Sequence, residues 1–193
     1  MRKKLKDSSG LTLVETLCAA VILVLLCLMM NVGMQMALAD YRTLTSEAET
    51  RLLLSSLSDA LADKLRYCVV YTDKTTGAYK RCSIGEIDAS SGKLIIKETD
   101  DTGAPVEKPL LPEGAYGELI GAERKYKVTA EADSFMPDIT AEDPADPESP
   151  RTATFKIKLT VEETTGSISS KTPEEGLVIR CLNPVRKEEG TTP

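Results

Sequence analysis

Glu15 is the residue in this chain whose surroundings are least favourable to it. It is the one charged side chain in the 20-residue apolar stretch Leu11–Met30. Placing a carboxylate in hydrocarbon costs about 2–3 kcal/mol or more unless something compensates its charge. The sequence therefore predicts a cationic partner for Glu15. A side chain that reaches back to the membrane interface is the alternative.

Acid–base and nucleophilic catalysis find little support in the sequence. The chain contains no histidine, which removes histidine bases, Ser-His-Asp and Cys-His arrangements, and histidine metal sites. It also has no P-loop, no G-x-G-x-x-G and no C-x-x-C motif. Chemistry by carboxylates alone, as in a glycosidase, stays open, but nothing points to it. We expect that the protein is not an enzyme and carries no cofactor.

Five cysteines form two groups. Cys18 and Cys27 lie in the apolar stretch and are predicted to be small apolar core residues. Cys68, Cys82 and Cys181 lie outside it. These three allow one disulfide and a leftover thiol in any of three pairings, or three buried thiols.

The segment that carries Glu15 has the length of a membrane span. It would form a helix of about 30 Å, one hydrocarbon thickness. Before it lie four cations, Arg2, Lys3, Lys4 and Lys6. Cations on this side predict that the N-terminal end stays cytoplasmic. A plain anchor fits this pattern, and so does a secretory signal peptide cut after Ala37-Leu38-Ala39, although its apolar core would be unusually long.

Residues 10–15 carry a more specific pattern. The cationic leader ends at Gly10, and Leu11-Thr12-Leu13-Val14-Glu15 follows directly. This resembles the prepilin signature of type IV pilins and pseudopilins, in which a basic leader ending in Gly precedes a hydrophobic residue and then Thr-Leu-aliphatic-Glu. Leu11 stands where the family usually has Phe, a change that keeps an apolar side chain. The resemblance covers about the first 30 residues.

The resemblance implies how the precursor is processed. A membrane prepilin peptidase and methyltransferase would cut between Gly10 and Leu11 on the cytoplasmic face and methylate the amino group of Leu11. The subunit would first be a single-pass membrane protein with its ectodomain outside. An inner-membrane assembly platform would then build it, with other pilin or pseudopilin subunits, into a cell-surface or periplasmic filament.

The resemblance also implies roles for residues along the helix. Glu15, with Thr12 of the motif, would serve assembly, since the methylated amine of a neighbour keeps its positive charge. Asn31 and Gly33 would mark a weak point that melts on packing; a simple irregularity where the helix leaves the membrane is the alternative. Many pilins have a disulfide in their C-terminal region, which favours Cys181 as one of the two cysteines of such a disulfide.

A minor pilin or pseudopilin is preferred to a major pilin as the function of this chain. A secreted or anchored extracellular binding module is the alternative function.

The chain beyond the span continues with a helical pattern to about Arg66. No proline occurs before Pro105. Apolar residues recur every three to five positions. This stripe consists of Leu38, Tyr41, Leu44, Ala48, Leu52, Leu57, Leu61 and Leu65. We expect a folded domain to cover it, because the 3.5-residue register of a coiled coil is not kept.

Strand patterns follow the helix, and together they predict an α+β fold with a pilin-like helix on an antiparallel sheet. Residues 67–71 are predicted either to end the helix or to begin the sheet. Predicted strands are 84–88, 93–98, 124–130, 154–161 and, as the last, 177–182; a hairpin turn is predicted at Ser90-Ser91-Gly92, and residues 183–193 are predicted to fray. The predicted parts are the leader 1–10, the membrane and assembly half of the helix 11–35, its amphipathic half 36–66, and the sheet part of the ectodomain 67–193 with an acidic, proline-rich loop 135–150.

Charge separates the leader from the ectodomain. The leader carries a net +3 and Glu15 adds −1, so the remaining residues carry −8 to reach the total of −6. An acidic ectodomain argues against a nucleic-acid partner held by phosphate contacts. Calcium in the loop 135–150 is a secondary hypothesis, because the loop is acidic but lacks EF-hand spacing.

Overall fold

The fold is α+β. A computed structural model describes residues 13–74, 76–99, 105–120, 123–131, 133–142, 149–166 and 168–188. Within them it has an α-helix, a turn of 3-10 helix at Glu113–Tyr116 and fourteen short strands. The helix is α1 (Leu13–Arg66), and the strands are β1 (Val70–Asp73), β2 (Tyr79–Cys82), β3 (Glu86–Asp88), β4 (Ile95–Thr99), β5 (Pro105–Pro109), β6 (Leu119–Ile120), β7 (Glu123–Arg124), β8 (Tyr126–Ala130), β9 (Pro137–Ala141), β10 (Arg151–Ile157), β11 (Leu159–Glu163), β12 (Ser169–Lys171), β13 (Leu177–Arg180) and β14 (Arg186–Glu188).

Helix α1 ends where the sequence predicts. It has 54 residues and stops at Arg66. Lys64 and Arg66 place positive charge in the last turn, which suits the negative end of the helix dipole. The amide of Cys68 donates to the carbonyl of Leu65 at 3.3 Å and closes the helix with a tight turn.

The chain divides into two compact units, the first ending at Leu44 and the second beginning at Thr45. In the first unit every residue from Leu13 to Leu44 is exposed. In the second unit the residues of α1 share a core with the strands. That core includes Leu57, Leu61, Phe155 and Ile157, each 0–1% exposed.

The buried face of α1 differs in part from the predicted stripe. It is formed by Ser46, Thr50, Leu53, Leu57, Leu61 and Leu65. The prediction was right at Leu57, Leu61 and Leu65. It was wrong for the other members, all of them exposed: Leu38, Tyr41, Leu44, Ala48 and Leu52. Four residues turn a helix by about 40° beyond a full circle, so Leu53 lies almost in line with Leu57 and Leu52 lies well to the side.

Two polar residues occupy this buried face because their hydroxyls have partners. The hydroxyls of Thr50 and Ser170 share a hydrogen bond of 2.9 Å, and Thr50 also donates to the carbonyl of Glu47 at 2.9 Å. The hydroxyl of Ser46 donates to Glu163 Oε1 at 3.3 Å. A buried hydroxyl is tolerated when it is hydrogen-bonded. A stripe drawn through apolar residues alone therefore misses this part of the core.

The strands form several small sheets rather than the single antiparallel sheet that was predicted. Their orders are β14-β1-β2, β13-β10-β9, β12-β11-β8, β3-β4-β5 and β6-β7. All described pairs are antiparallel except β1 with β14. The prediction that 177–182 is the last strand was wrong: β13 covers Leu177–Arg180, and β14 follows it within the segment expected to fray.

The predicted strand 154–161 is two strands in different sheets. β10 and β11 are separated by Lys158, whose backbone groups bond outside both sheets. Its amide donates to the hydroxyl of Ser134 at 3.3 Å, and its carbonyl accepts the amide of Glu131 at 3.1 Å. Apolar and polar residues continue to alternate on both sides of Lys158. The sequence pattern therefore gives no local sign that the chain leaves β10 and enters β11 there.

Two neighbouring predictions have opposite outcomes. The hairpin at residues 90–92 is confirmed, since β3 and β4 are antiparallel and Asp88 is opposite Ile95. Its turn is local: the amide of Ser90 donates to Asp88 Oδ1 at 2.7 Å, and Gly92 takes a φ of 75°. The loop prediction for 135–150 was wrong in part, because it contains β9, whose partner is β10.

Candidate functional site

The N-terminal half of α1 presents an apolar surface with no cover inside its own unit. Its exposed large side chains include Leu17, Ile22, Leu26, Met29 and Met30, each more than half exposed. Soluble monomers rarely expose a contiguous apolar patch beyond a few hundred Å². α1 is long and apolar enough to cross a membrane. The surface therefore suits lipid or the apolar faces of other helices.

Glu15 lies in the first turn of this surface and is exposed. A negative charge there is favoured by the positive end of the helix dipole, by about 0.3–1 kcal/mol. Its neighbours one and two turns along the same face are Ala19 and Ile22. Glu15 thus presents a carboxylate at the end of an apolar face. The predicted cleavage site Gly10–Leu11, with Thr12, lies outside the described residues.

The predicted weak point at Asn31 and Gly33 is helical in the structure. The side-chain amide of Gln35 donates to Asn31 Oδ1 at 3.0 Å, an exposed bond along one face of the helix. A Cβ added at Gly33 would meet no atom within 4 Å. Gly33 therefore makes no close packing contact within the chain. Melting of this segment on packing stays a prediction.

The five cysteines keep to the two predicted groups. Cys18 and Cys27, predicted as core residues, are instead exposed on α1, nine residues apart and so on opposite sides of the helix. Cys68, Cys82 and Cys181 are buried free thiols, and the sulfurs of Cys68 and Cys181 are 3.5 Å apart. Hydrogen bonds to Cys181 and Cys82, together with burial, raise the pKa of the Cys68 thiol. The fold thus brings together three residues that are far apart in sequence.

The acidic loop 135–150 lies partly outside the described residues, which omit 143–148. Of its acidic residues, Asp138 forms an ion pair with Lys156 at 2.8 Å. No group of three or more cysteine, aspartate or glutamate side chains suited to a metal ion occurs among the described residues. The calcium hypothesis for this loop gains no support from its described part.

A polar contact between α1 and β8 was not predicted. Lys125 Nζ lies 2.7 Å from Glu49 Oε2, and the hydroxyl of Tyr126 donates to the same oxygen. The hydrogen bond from Lys125, then that from Tyr126, lowers the pKa of Glu49. Glu49 and Lys125 are 76 residues apart. No sequence pattern joins them, and only the fold does.

An open groove of about 650 Å³ runs between α1 and the edges of β12 and β13. It is lined by Arg51, Leu54, Ser170 and Val178 among others, and Arg51 pairs with Glu47 at 2.5 Å. The hydroxyl of Ser170 in this lining shares a hydrogen bond with that of Thr50. Protein-family models, curated proteins and solved structures give no match to this chain.

Proposed function

We propose that this protein is a structural subunit of the type IV pilin and pseudopilin class, and that it acts by assembling into a filament. One observation carries the proposal. The exposed apolar half of α1 begins with the carboxylate of Glu15, whereas the other half of the same helix is built into the core of an α+β unit. A subunit that moves from lipid into a filament needs an apolar helix available to other helices.

Glu15 supplies the specificity of this packing. Cleavage after Gly10 frees the amino group of Leu11, and this amine stays cationic after methylation. In the filament it would meet Glu15 of a neighbouring subunit. Opposite charges in a low-dielectric setting attract strongly, and each relieves the cost of burying the other. Apolar packing alone would allow neighbouring helices to slide, whereas one ion pair defines their register.

The ectodomain would lie outside the cytoplasm, since the cations before the span keep the N-terminal end inside. A minor pilin or pseudopilin fits better than a major pilin. The acidic, proline-rich segment 135–150 suits contact with particular partners. The partners are the prepilin peptidase, other subunits, the assembly platform and membrane lipid, with no nucleic acid.

The N-terminus of the mature protein distinguishes this proposal from the alternative. We would recover a C-terminally tagged chain from membranes of a host with the peptidase and read its first residues by mass spectrometry. The proposal expects N-methylated Leu11. A start at Asp40 indicates a secreted product cut after Ala39, and an intact Met1 leader indicates a plain anchor; either result contradicts the proposal.

Gly10→Val is the matched variant for that experiment. The peptidase must accommodate a residue without a side chain beside the bond that it cuts, so we expect uncut precursor to accumulate in the membrane. Ser9→Val places the same side chain at the neighbouring residue and serves as the control for general damage to the leader. Mature protein of normal size from Gly10→Val would count against processing by a prepilin peptidase.

A further inference from the structure

Three buried thiols meet where α1 ends and the last part of the chain returns to it. Cys68 follows the last turn of α1, Cys181 directly follows β13, and Cys82 is the last residue of β2. They are 1%, 2% and 6% exposed, respectively. The sulfurs of Cys68 and Cys181 are 3.5 Å apart, although 113 residues separate them in sequence.

The backbone holds the two segments together independently of their sulfurs. The amide of Leu182 donates to the carbonyl of Arg66 at 2.8 Å, and the side-chain amide of Asn183 donates to the carbonyl of Tyr67 at 2.6 Å. These bonds join the two residues just before Cys68 to the two residues just after Cys181. A disulfide needs the sulfurs at about 2 Å, so closure requires a sulfur shift of about 1.5 Å.

We propose that Cys68 and Cys181 form a disulfide that fastens the end of α1 to the segment after β13, and that Cys82 stays a free thiol. The sulfur of Cys82 interacts with Cys68 and with the backbone amides of Ile84 and Ser83, but the close sulfur–sulfur contact of Cys68, at 3.5 Å, is with Cys181. Cys82 is also held in β2 opposite Val70 of β1. Cys181, in contrast, directs its thiol at the helix end and donates to the carbonyl of Leu65 at 3.2 Å.

The chemistry is thiol–disulfide exchange with an organic disulfide as oxidant. One cysteine thiolate attacks the oxidant and releases one reduced thiol; the second cysteine then attacks the mixed disulfide and releases another. The protein loses two protons and two electrons, and the oxidant's sulfur–sulfur bond is reduced to two thiols. Both cysteines are buried in the folded unit, so the first attack occurs before β13 closes on α1 or during local opening.

The pairing depends on the fold of the second unit and not on filament assembly, so it can be tested separately from the proposed function. The full chain, purified in detergent, would be incubated with reduced and oxidised glutathione, unfolded without reductant and alkylated. We expect intact mass to show three alkylated cysteines, rising to five after reduction, with the three being Cys18, Cys27 and Cys82. Peptide mapping should recover Cys68 linked to Cys181. Five alkylated cysteines without reduction, or a link that includes Cys82, would overturn the proposal.

Two variants test the assignment. Cys82→Ala should keep the cross-link, and its oxidised form should melt about 10 °C higher than its reduced form, because the bond closes a long loop in the unfolded chain. Cys68→Ala should lose both the cross-link and this difference, with four alkylated cysteines. A cross-link that persists in Cys68→Ala, or one that disappears in Cys82→Ala, would contradict the assigned pair.

Discussion

The two halves of α1 share one backbone conformation and differ in what covers them. Residues Leu13–Leu44 are exposed throughout, whereas Thr45–Arg66 contribute Leu53, Leu57, Leu61 and Leu65 to the core. The second half alternates these leucines with polar residues such as Ser58 and Asp59, which leaves one apolar stripe. In the first half, residues 17–30 are apolar on all sides of the helix. A stripe can be covered by one sheet, but a helix apolar all round needs lipid or several helices.

This contrast separates residues that stabilise the unit from residues that serve its neighbours. Truncating a core leucine should destabilise the second unit, whether or not the subunit enters a filament. Changing Glu15 should leave that unit intact and affect only association. Matched substitutions in the two halves therefore test whether the first half serves association between subunits and the second half stabilises the folded unit.

The largest effect is expected for Glu15→Ala. On the proposed function it leaves the amine of a neighbour unpaired in low dielectric, which costs about 3 kcal/mol or more and lowers incorporation into filaments at least about 100-fold. Membrane insertion and leader removal should persist, and insertion can improve because a charge is removed. The measurement is the ratio of subunit in sheared filaments to subunit in membranes.

Glu47→Ala is the matched control, because it removes a partly exposed glutamate from the other half of the same helix. Its partner is Arg51, in an exposed pair of the kind that contributes little to stability. Filament content should match the wild type. If Glu15→Ala enters filaments as well as Glu47→Ala does, Glu15 is not the assembly contact.

The second prediction concerns the stability of the second unit. A fragment of residues 40–193 should fold alone in water, with mixed helix and strand and a cooperative transition. In that fragment Leu61→Ala should cost about 3 kcal/mol, because Leu61 is fully buried and its loss leaves a cavity. Urea unfolding followed by circular dichroism measures the change.

Leu52→Ala is its control. Leu52 is 71% exposed, and its truncation should change the free energy of unfolding by less than about 0.5 kcal/mol. Equal losses for the two variants would contradict the buried face of α1 described above. An aggregated or disordered fragment would show instead that the unit depends on the first half of the helix.

Features of the fold that depend on a few neighbouring residues could be predicted from the sequence. Features that depend on contacts between residues distant in sequence could not. The end of α1 and the hairpin at residues 90–92 depend on adjacent residues. The break at Lys158 depends on Ser134, and the buried positions of Thr50 and Ser46 depend on Ser170 and Glu163. At the candidate site, Glu15 stands out locally, whereas the proximity of Cys68 and Cys181 required the fold.

Two glycines give the third test. Gly85 has a φ of +90°, and a Cβ there would lie 2.3 Å from the carbonyl oxygen of Lys97. Gly85→Ala in the 40–193 fragment should therefore destabilise it by about 2 kcal/mol through backbone strain and overlap. Gly33→Ala meets no atom and should stabilise the helix by about 1 kcal/mol.

The Gly33 variant also tests the predicted weak point. Hydrogen exchange in detergent should show slower opening around residues 31–35 in Gly33→Ala than in the wild type. On the proposed function, filament content should fall because the helix resists melting when it packs. If hydrogen exchange is slower but filament content is unchanged, melting at Gly33 is not needed for assembly. Gly33 is then only an irregularity where the helix leaves the membrane.

The smallest effect is expected at the contact between Glu49 and Lys125. The pKa of Glu49 is lowered in the folded unit, so its carboxylate stabilises the fold at pH values above the unfolded-state pKa of about 4.3. This contribution is lost as the pH falls through the lower folded-state pKa. Glu49 is 45% exposed, and solvent screening keeps the contribution below about 1 kcal/mol.

Glu49→Gln isolates this contribution from the other carboxylates. The pKa of Asp88 is also lowered, to about 2, by the hydrogen bond from Lys97 and those from Ser90, so acid destabilises the unit through more than one group. The free energy of unfolding is measured with urea at each pH for Glu49→Gln and for the wild type. Subtracting the first from the second cancels the contribution of the other carboxylates, which both proteins share. The difference should be largest near pH 7 and shrink below about pH 4. A difference that stays constant down to pH 3 would mean that Glu49 contributes by packing and not by its charge.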